Sequence, residues 1–174
     1  MTVFPTIRHS GSHFAVDLMG YDVNRCLSWK AARNAAPHDA IFDHISPWKK
    51  DIFLPLIADN LTVIPLRHPY LTAKSWDDRK KDRQDLIDSW LVLVEDIDPL
   101  QPFYLPLDVP DRQDYLDTLN AATGRDMATD WSPQGVVHNN QDLRHTDLTP
   151  SADILALCDR IGGFLSRFYK VPPT

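Results

Sequence analysis

The chain has 174 residues, of which 43% are hydrophobic and 24% are charged, and its formal net charge at pH 7 is −6. This length and composition predict one globular domain that spans residues 1–174. The negative net charge argues against general nucleic-acid binding, which needs a broad basic face, but a few local cations would suffice for an anionic small molecule.

Targeting and metal-binding signals are missing from the sequence. No run of 18 apolar residues is present, and the first residues lack the basic and apolar regions of a signal peptide. The two cysteines, Cys26 and Cys158, show no metal-ligand spacing, and neither do the histidines. We therefore expect a cytoplasmic protein with reduced thiols, no metal, no membrane contact and no nucleic-acid partner.

Strands and helices alternate along the first part of the chain. Residues 3–7 predict a short first strand, and residues 13–20 predict the helix that follows it. Residues 22–35 predict a second helix, and residues 40–45 predict a second strand. Ser46-Pro47 is typical of a helix start, because serine caps the first turn and proline is favoured directly after it.

The middle of the chain contains the clearest buried-strand pattern, an apolar run over residues 61–66. Pro65 interrupts this run, and because proline has no amide hydrogen, we expect the strand either to be unpaired there or to bulge. A helix is expected to begin near Pro69. Residues 78–97 predict an amphipathic helix, and its apolar face consists of Leu86, Trp90, Leu93, Val94 and Ile97.

The last part of the chain continues the alternation. Residues 103–107 predict a strand, residues 111–122 a helix that ends at Gly124, and residues 124–148 a long polar loop. Thr149-Pro150 should open a last helix, whose apolar face consists of Ile154, Leu157, Ile161, Leu165 and Phe168. The whole pattern predicts an α/β fold with a mainly parallel sheet flanked by helices.

Two turns rich in hydroxyls and cations follow predicted strands. The first is Thr6-Ile7-Arg8-His9-Ser10-Gly11-Ser12-His13-Phe14, and the second is Arg67-His68-Pro69-Tyr70-Leu71-Thr72-Ala73-Lys74-Ser75. Amide groups at a helix start attract phosphate or sulfate. Singly, a Ser-Gly-Ser turn or a surface arginine is common in ordinary loops. Both turns fall at the carboxyl ends of strands, where parallel sheets bind ligands, so together they predict a ligand with an anionic group at each end.

In this order the two turns resemble the sulfotransferase family. The first resembles its 5′-phosphosulfate loop, usually Thr-x-Pro-Lys-Ser-Gly-Thr-Thr-Trp. The second resembles its 3′-phosphate motif, Arg-x-Pro followed by Ser, and Arg67 and Ser75 have the same spacing of 75 − 67 = 8. Between them, Phe42-Asp43-His44-Ile45 lies where the family often has Lys-x-His-Leu at a strand end. The resemblance implies a P-loop NTPase-like fold of the sulfotransferase type.

The resemblance also implies a reaction and its residues. The co-substrate would be 3′-phosphoadenosine-5′-phosphosulfate (PAPS), which donates a sulfuryl group to a hydroxyl or amine without a metal. His44 would be the base that takes the proton of the acceptor, and His9 would be the acid at the position of the loop lysine. Phe14 would replace an aromatic residue that stacks on adenine. The remaining contacts to the donor would come from Arg8, His9, Ser10, Gly11, Ser12 and His13 at its 5′ end, and from Arg67 and Ser75 at its 3′-phosphate.

The chain departs from the family in the loop lysine, which is His9 here, and in the C-terminal Arg-Lys-Gly segment, which has no clear match. Arg125 and Arg144 lie in the region where that segment is sought. The chain is short for the family, so an acceptor site at residues 20–40 and 124–148 should be small or open. Three other functions stay open: a nucleotide-binding protein without catalysis, an interaction protein, and a nucleotide kinase, although Gly-Lys-Ser/Thr is absent.

Overall fold

The computed structural model describes residues 1–8, 10–77, 81–129 and 149–170. Four strands form a sheet in which every pairing is parallel, and their order is β2-β1-β3-β4. The predicted α/β class with a parallel sheet is confirmed, and each predicted strand agrees with the observed one to within one residue at either end. The strands are β1 (Thr2–Thr6), β2 (Ala40–His44), β3 (Leu61–Leu66) and β4 (Phe103–Pro106).

Seven α-helices lie between and after the strands in the described part of the chain. They are α1 (Ser12–Leu18), α2 (Lys50–Asp59), α3 (Pro69–Asp77), α4 (Arg83–Val92), α5 (Arg112–Thr123), α6 (Ala152–Arg160) and α7 (Gly162–Leu165). A wider, π-helical turn over Leu93–Ile97 continues α4, and Gly124 ends α5 with a φ of 66°, as its position in the sequence predicts.

The predicted helix over residues 22–35 is wrong. The segment instead forms two short 3-10 turns, Val23–Arg25 and Ala32–Asn34, with an isolated bridge from Leu27 to Ile41 between them. Its apolar residues therefore support the edge strand β2 instead of forming one face of a helix. Trp29 makes this support specific, because its fully buried ring donates from Nε1 to the carbonyl of His44 at 3.0 Å.

The predicted last helix is present as two pieces. α6 ends at Arg160, and α7 begins at Gly162, because the pair Gly162-Gly163 has little tendency to continue a helix. The predicted apolar face is nevertheless correct, since all five of its members are buried: Ile154, Leu157, Ile161, Leu165 and Phe168.

The side chains of the strands alternate between two cores, one on each side of the sheet. One core surrounds Val3, Ile41 and Ile64 and takes its other members from α2, α3, α4, α6 and α7, among them Phe53, Trp76, Trp90, Ile154 and Phe164. The second core surrounds Phe4, Val63 and Leu105 and takes residues from α1 and α5, among them Phe14, Val16 and Leu119. The fold therefore has three layers, with helices on both faces of the sheet.

Strands β1 and β3 pair only along their amino halves. The register is Thr2 with Leu61 and Val3 with Thr62, and the pairing ends before Pro5 and Pro65. Neither proline has an amide hydrogen to donate across the gap. Pro65 lies opposite Leu105 on its other side, so the strand is unpaired at the proline toward β1 only. The carboxyl ends of β1 and β3 are neighbours without a ladder between them.

Gly11, between β1 and α1, is required by the fold itself. Its φ is 84°, and a Cβ at this position would collide with Cδ1 of Leu107, the residue after β4. The left-handed backbone and the close side chain therefore both exclude larger residues.

Replacing Gly11 by alanine should lower the free energy of unfolding by about 2–4 kcal/mol, since it adds overpacking to the cost of a positive φ. Gly20→Ala is the matched control, because Gly20 has a φ of 78° with nothing within 4 Å of the added Cβ. This control should lose only about 1–2 kcal/mol. Urea denaturation measures both losses, and equal losses would contradict the contact with Leu107.

Candidate functional site

The strand order places a topological switch point between β1 and β3. The chain leaves β1 toward β2 on one side, whereas it leaves β3 toward β4 on the other. Ligands of doubly wound sheets bind beyond the carboxyl ends of the strands at such a point. The two predicted anion turns follow β1 and β3, so the fold brings them to adjacent positions on one edge. Several doubly wound folds share this order of strands, so the order does not single out one of them.

The turn after β1 contains a buried hydroxyl without a partner. Ser10 is only 1% exposed, and its amide donates to the carbonyl of Ile7 at 3.1 Å. Its Oγ is buried and makes no hydrogen bond. Arg8 in the same turn is exposed, Ser12 is buried at the start of α1, and His9 lies outside the described residues. Because an unsatisfied buried polar group costs free energy, Ser10 Oγ is a candidate ligand contact.

Two other residues predicted for the first turn have different surroundings. His13 is exposed on α1, and its ring lies edge-on to Phe42 with centroids 5.6 Å apart. Phe14 is 5% exposed and packs in the core beside Phe4. The stacking of Phe14 on adenine therefore stays a prediction, and a ligand would meet only the small exposed part of its ring.

His44 is held at the carboxyl end of β2 beside Thr6 of β1. The Nδ1 of His44 lies 3.1 Å from Oγ1 of Thr6, and that hydroxyl donates to the carbonyl of Asp43 at 3.5 Å. A hydroxyl has one hydrogen, so Thr6 accepts from Nδ1–H of His44 when that hydrogen is on the Asp43 carbonyl, and donates to Nδ1 when it is not. The first arrangement leaves the basic lone pair of the imidazole on Nε2, which is the tautomer that a general base requires.

Asp43 fixes the backbone on which His44 lies. Its carboxylate accepts from the amides of His44 at 2.7 Å and of Trp29 at 3.2 Å. Lys49 adds an ion pair, with its Nζ 3.2 Å from Oδ2. The carboxylate of Asp43 is thus engaged in structural hydrogen bonds and an ion pair.

The turn after β3 contains the second unpartnered atom. Arg67 is largely buried at the end of β3, and its Nε makes no hydrogen bond. Burial lowers the pKa of Arg67, while Asp108 and Tyr169 oppose that shift. Ser75, the other residue predicted for this site, is 5% exposed in α3, and no hydrogen bond joins it to Arg67 in the described part of the chain.

Asp108 and Tyr169 complete this turn, and the sequence did not predict them. Asp108 follows β4 and accepts two hydrogen bonds, from the Tyr169 hydroxyl at 3.0 Å and from the His68 amide at 2.8 Å. Burial raises the pKa of Asp108, whereas these hydrogen bonds and Arg67 lower it. A polar residue directly after a predicted strand is a signal that identifies Asp108, but nothing local marks Tyr169, because it lies 61 positions further on.

His68 is a structural residue within the same cluster. Its ring lies edge-on to Tyr70 and Tyr169, with centroid distances of 4.6 Å and 4.9 Å, and its Nδ1 accepts from the Tyr70 amide at 3.3 Å. Burial lowers the pKa of His68 to about 4. The imidazole is therefore neutral at pH 7 and adds no positive charge to the site.

Arg125 lies at the wrong end of the sheet for a phosphate ligand. Its guanidinium donates to the carbonyl of Met19 after α1 and lies 5.9 Å from the ring centroid of Tyr21. The Tyr21 hydroxyl is bonded to Thr2, the first residue of β1, so this arginine is at the amino edge. Arg144 and residues 130–148 of the predicted loop lie outside the described residues.

Comparison with protein-family models, with curated proteins and with solved structures finds no match for the chain. Within the described ranges, no helix is long and apolar enough to cross a membrane, and no three His, Cys, Asp or Glu side chains are grouped so that they could hold a metal ion. The candidate site is therefore defined by its geometry at the carboxyl ends of the strands.

Replacing His68 by asparagine should reduce the acid sensitivity of the fold, because asparagine keeps an acceptor for the Tyr70 amide and does not titrate. The folded-state pKa of about 4 lies below the ordinary 6.5, so His68 costs stability as the pH falls between these values. Over this pH range the free energy of unfolding of the wild type should fall by about 3 kcal/mol more than that of His68→Asn.

Urea denaturation at several pH values measures this difference. The control is His38→Asn, since the His38 side chain is 86% exposed, and it should keep the acid-induced loss of the wild type. Parallel pH profiles for the wild type and His68→Asn would contradict the buried neutral state of His68.

Proposed function

We propose that the protein is a sulfotransferase with a P-loop NTPase-like nucleotide site, which transfers a sulfuryl group from PAPS to a hydroxyl or amine. One observation carries the proposal: the two turns on the adjacent strands β1 and β3 each bury a polar atom with no partner, Ser10 Oγ and Arg67 Nε. A ligand with an anionic group at each end would satisfy both atoms at once.

The energetics favour a ligand with two anionic groups. Each unsatisfied buried donor costs about 1–3 kcal/mol, so the unliganded protein carries a cost that binding removes. A ligand with one anionic group for each turn would give both atoms a partner. PAPS and its product adenosine 3′,5′-bisphosphate carry anionic groups at both the 5′ and 3′ positions of the ribose, and this supports PAPS over a mononucleotide.

The proposed roles follow from position on the edge. Ser10, the α1 amides and exposed Arg8 would bind the 5′-phosphosulfate, and Arg67 would bind the 3′-phosphate. His9 would take the place of the family's loop lysine, and a bound dianion would favour its charged form. Ser75 would also bind the 3′-phosphate, as the resemblance to the sulfotransferase motif implies.

The proposed transfer balances without a metal. Nε2 of His44 takes the proton of the acceptor hydroxyl or amine, and the acceptor oxygen or nitrogen forms a bond to sulfur. The bond from sulfur to the bridging oxygen of the 5′-phosphate breaks, and its electron pair stays on that phosphate. Cationic groups of the first turn stabilise the charge of the leaving phosphate, so catalysis consists of positioning, proton removal and charge stabilisation.

A nucleotide-binding protein without transfer is the second candidate function. The structural engagement of His44 favours it, because its Nδ1 is bonded to Thr6 and its carbonyl accepts from Trp29. Both bonds would explain a histidine at this position without catalysis. Binding of the bisphosphate together with no transfer to any acceptor would support this candidate.

Removing the unpartnered hydroxyl should separate binding from stability. Ser10→Ala should leave the free energy of unfolding unchanged or raise it by about 1 kcal/mol, yet weaken bisphosphate binding by about 3- to 10-fold. Arg67→Ala should weaken binding by about 10- to 100-fold, because it removes a charge-assisted bond. Calorimetric titration with adenosine 3′,5′-bisphosphate, AMP and ATP gives the affinities.

Arg33→Ala is the control for these variants, since Arg33 is exposed and far along the chain from both turns. It should bind the bisphosphate as the wild type does. Absence of bisphosphate binding by the wild type, or no preference over AMP and ATP, would refute the proposed nucleotide site. An unchanged affinity of Ser10→Ala for the bisphosphate would show that Ser10 Oγ does not contact the ligand.

Removing the proposed base should abolish turnover but not binding. His44→Asn should lower the rate of bisphosphate release from PAPS by about 10²- to 10⁴-fold, as expected for loss of a general base. Thr6→Val should lower this rate less, since it removes only the hydroxyl that contacts Nδ1 and so no longer favours one tautomer of His44. Thr6→Ser keeps a hydroxyl there and should keep the wild-type rate. The release assay uses a panel of phenols, alcohols and amines as acceptors, and full activity of His44→Asn would exclude His44 as the base.

A further inference from the structure

Arg67 and Asp108 form an incomplete pair at the carboxyl ends of β3 and β4. Asp108 accepts from the amide of His68, the residue after Arg67, and β3 pairs with β4, so the two side chains follow neighbouring strand ends and act on each other electrostatically. No hydrogen bond or ion pair joins them in the described part of the chain, and Nε of Arg67 is left without a partner. The carboxyl group of Asp108 is held in place by Tyr169 and by the His68 amide. The pair therefore offers a cation and an acceptor to a third group.

A carboxylate beside the arginine changes which anions the site accepts. An anion without a proton is attracted by Arg67 but repelled by Asp108. A phosphate group has a second pKa of about 6, so it can carry a proton near neutral pH and donate it to a carboxylate. A sulfate has no comparable proton. Of the roughly four lone pairs on the Asp108 carboxylate, three accept from the Tyr169 hydroxyl, the His68 amide and the amide of Asp108 itself, which leaves one for such a donor.

We propose that Asp108 is a specificity-determining residue, which makes the Arg67 subsite select a protonated phosphate group over a sulfate. The proposal rests on the proposed function for the identity of the full ligand, since it explains how PAPS would be oriented. The phosphate end would bind at Arg67, and the sulfate end would be excluded from Arg67 and left to the turn after β1.

The proton balance of this subsite is explicit. One proton lies between a phosphate oxygen and an oxygen of Asp108 in the complex, and either the phosphate brings it or the solvent supplies it. Sulfate would bind only after Asp108 itself had taken a proton, and burial makes that protonation easier by raising the pKa of Asp108. Among the described residues, Arg67 and Tyr169 act on the Asp108 carboxyl group through their side chains and His68 through its amide, and Tyr115 of α5 acts on Tyr169.

The test is an NMR titration with inorganic phosphate and with sulfate, which follows the His68 amide because this amide is bonded to Asp108. At pH 7 phosphate should bind at least about tenfold more tightly than sulfate, as expected for one unfavourable charge contact. The preference should narrow as the pH is lowered, because protonation of Asp108 removes its repulsion of sulfate.

Asp108→Asn should remove the preference, since the amide has the same shape and no charge. Asp114→Asn is the matched control, because Asp114 is an exposed acid on α5, and it should keep the preference. Tyr169→Phe provides a second variant if Asp108→Asn does not fold. It removes the hydrogen bond that favours ionised Asp108, so sulfate binding at pH 7 should tighten toward that of phosphate.

Equal affinities for the two anions in the wild type would overturn the proposal, as would no response of the His68 amide to either anion. A preference that survives in Asp108→Asn, or in Tyr169→Phe where that variant is used, would overturn it too. The outcome is separate from that of the proposed function. Phosphate selectivity without bisphosphate binding supports the role of Asp108 and refutes the sulfotransferase, whereas bisphosphate binding without selectivity does the reverse.

Discussion

The arrangement of this protein depends on two prolines in neighbouring strands. Pro5 and Pro65 cannot donate hydrogen bonds, so the ladder between β1 and β3 stops after Val3 and Thr62. The strands still pack side by side because each is held on its other side, β1 by β2 and β3 by β4. β1 and β3 are therefore paired at their amino ends and unpaired at their carboxyl ends. The turns that contain Ser10 and Arg67 follow these unpaired carboxyl ends.

The four strands and most of the helices could be predicted, because each of these elements has a local sequence pattern. An apolar run such as residues 61–66 or a glycine after a periodic segment needs no knowledge of the rest of the chain. Residues 22–35 defeated the same reasoning, since their apolar side chains are used by strand β2, and tertiary contacts overrode local periodicity. The break between α6 and α7 was not predicted, because the long apolar face continues across it.

The candidate site was predictable only in part. Motif spacing identified the turns with Ser10 and Arg67, and the structure brings them together at one edge. The sequence alone could not predict that Phe14 packs into the second core, because a helix residue next to a ligand turn can point inward as readily as outward. No sequence signal marked Tyr169, since its partner Asp108 lies 61 positions earlier and only the folded chain brings the two together.

The bond between Tyr169 and Asp108 also has a consequence for how the protein is made. The polar cluster joins residues 40 and 61 positions apart, and the last partner to leave the ribosome is the tyrosine. Contacts of such long sequence separation form late, after the loops between them have closed. During synthesis the strands β1–β4 can therefore pair before Tyr169 reaches Asp108, and the arginine turn is completed only when α6 and α7 pack on the first core.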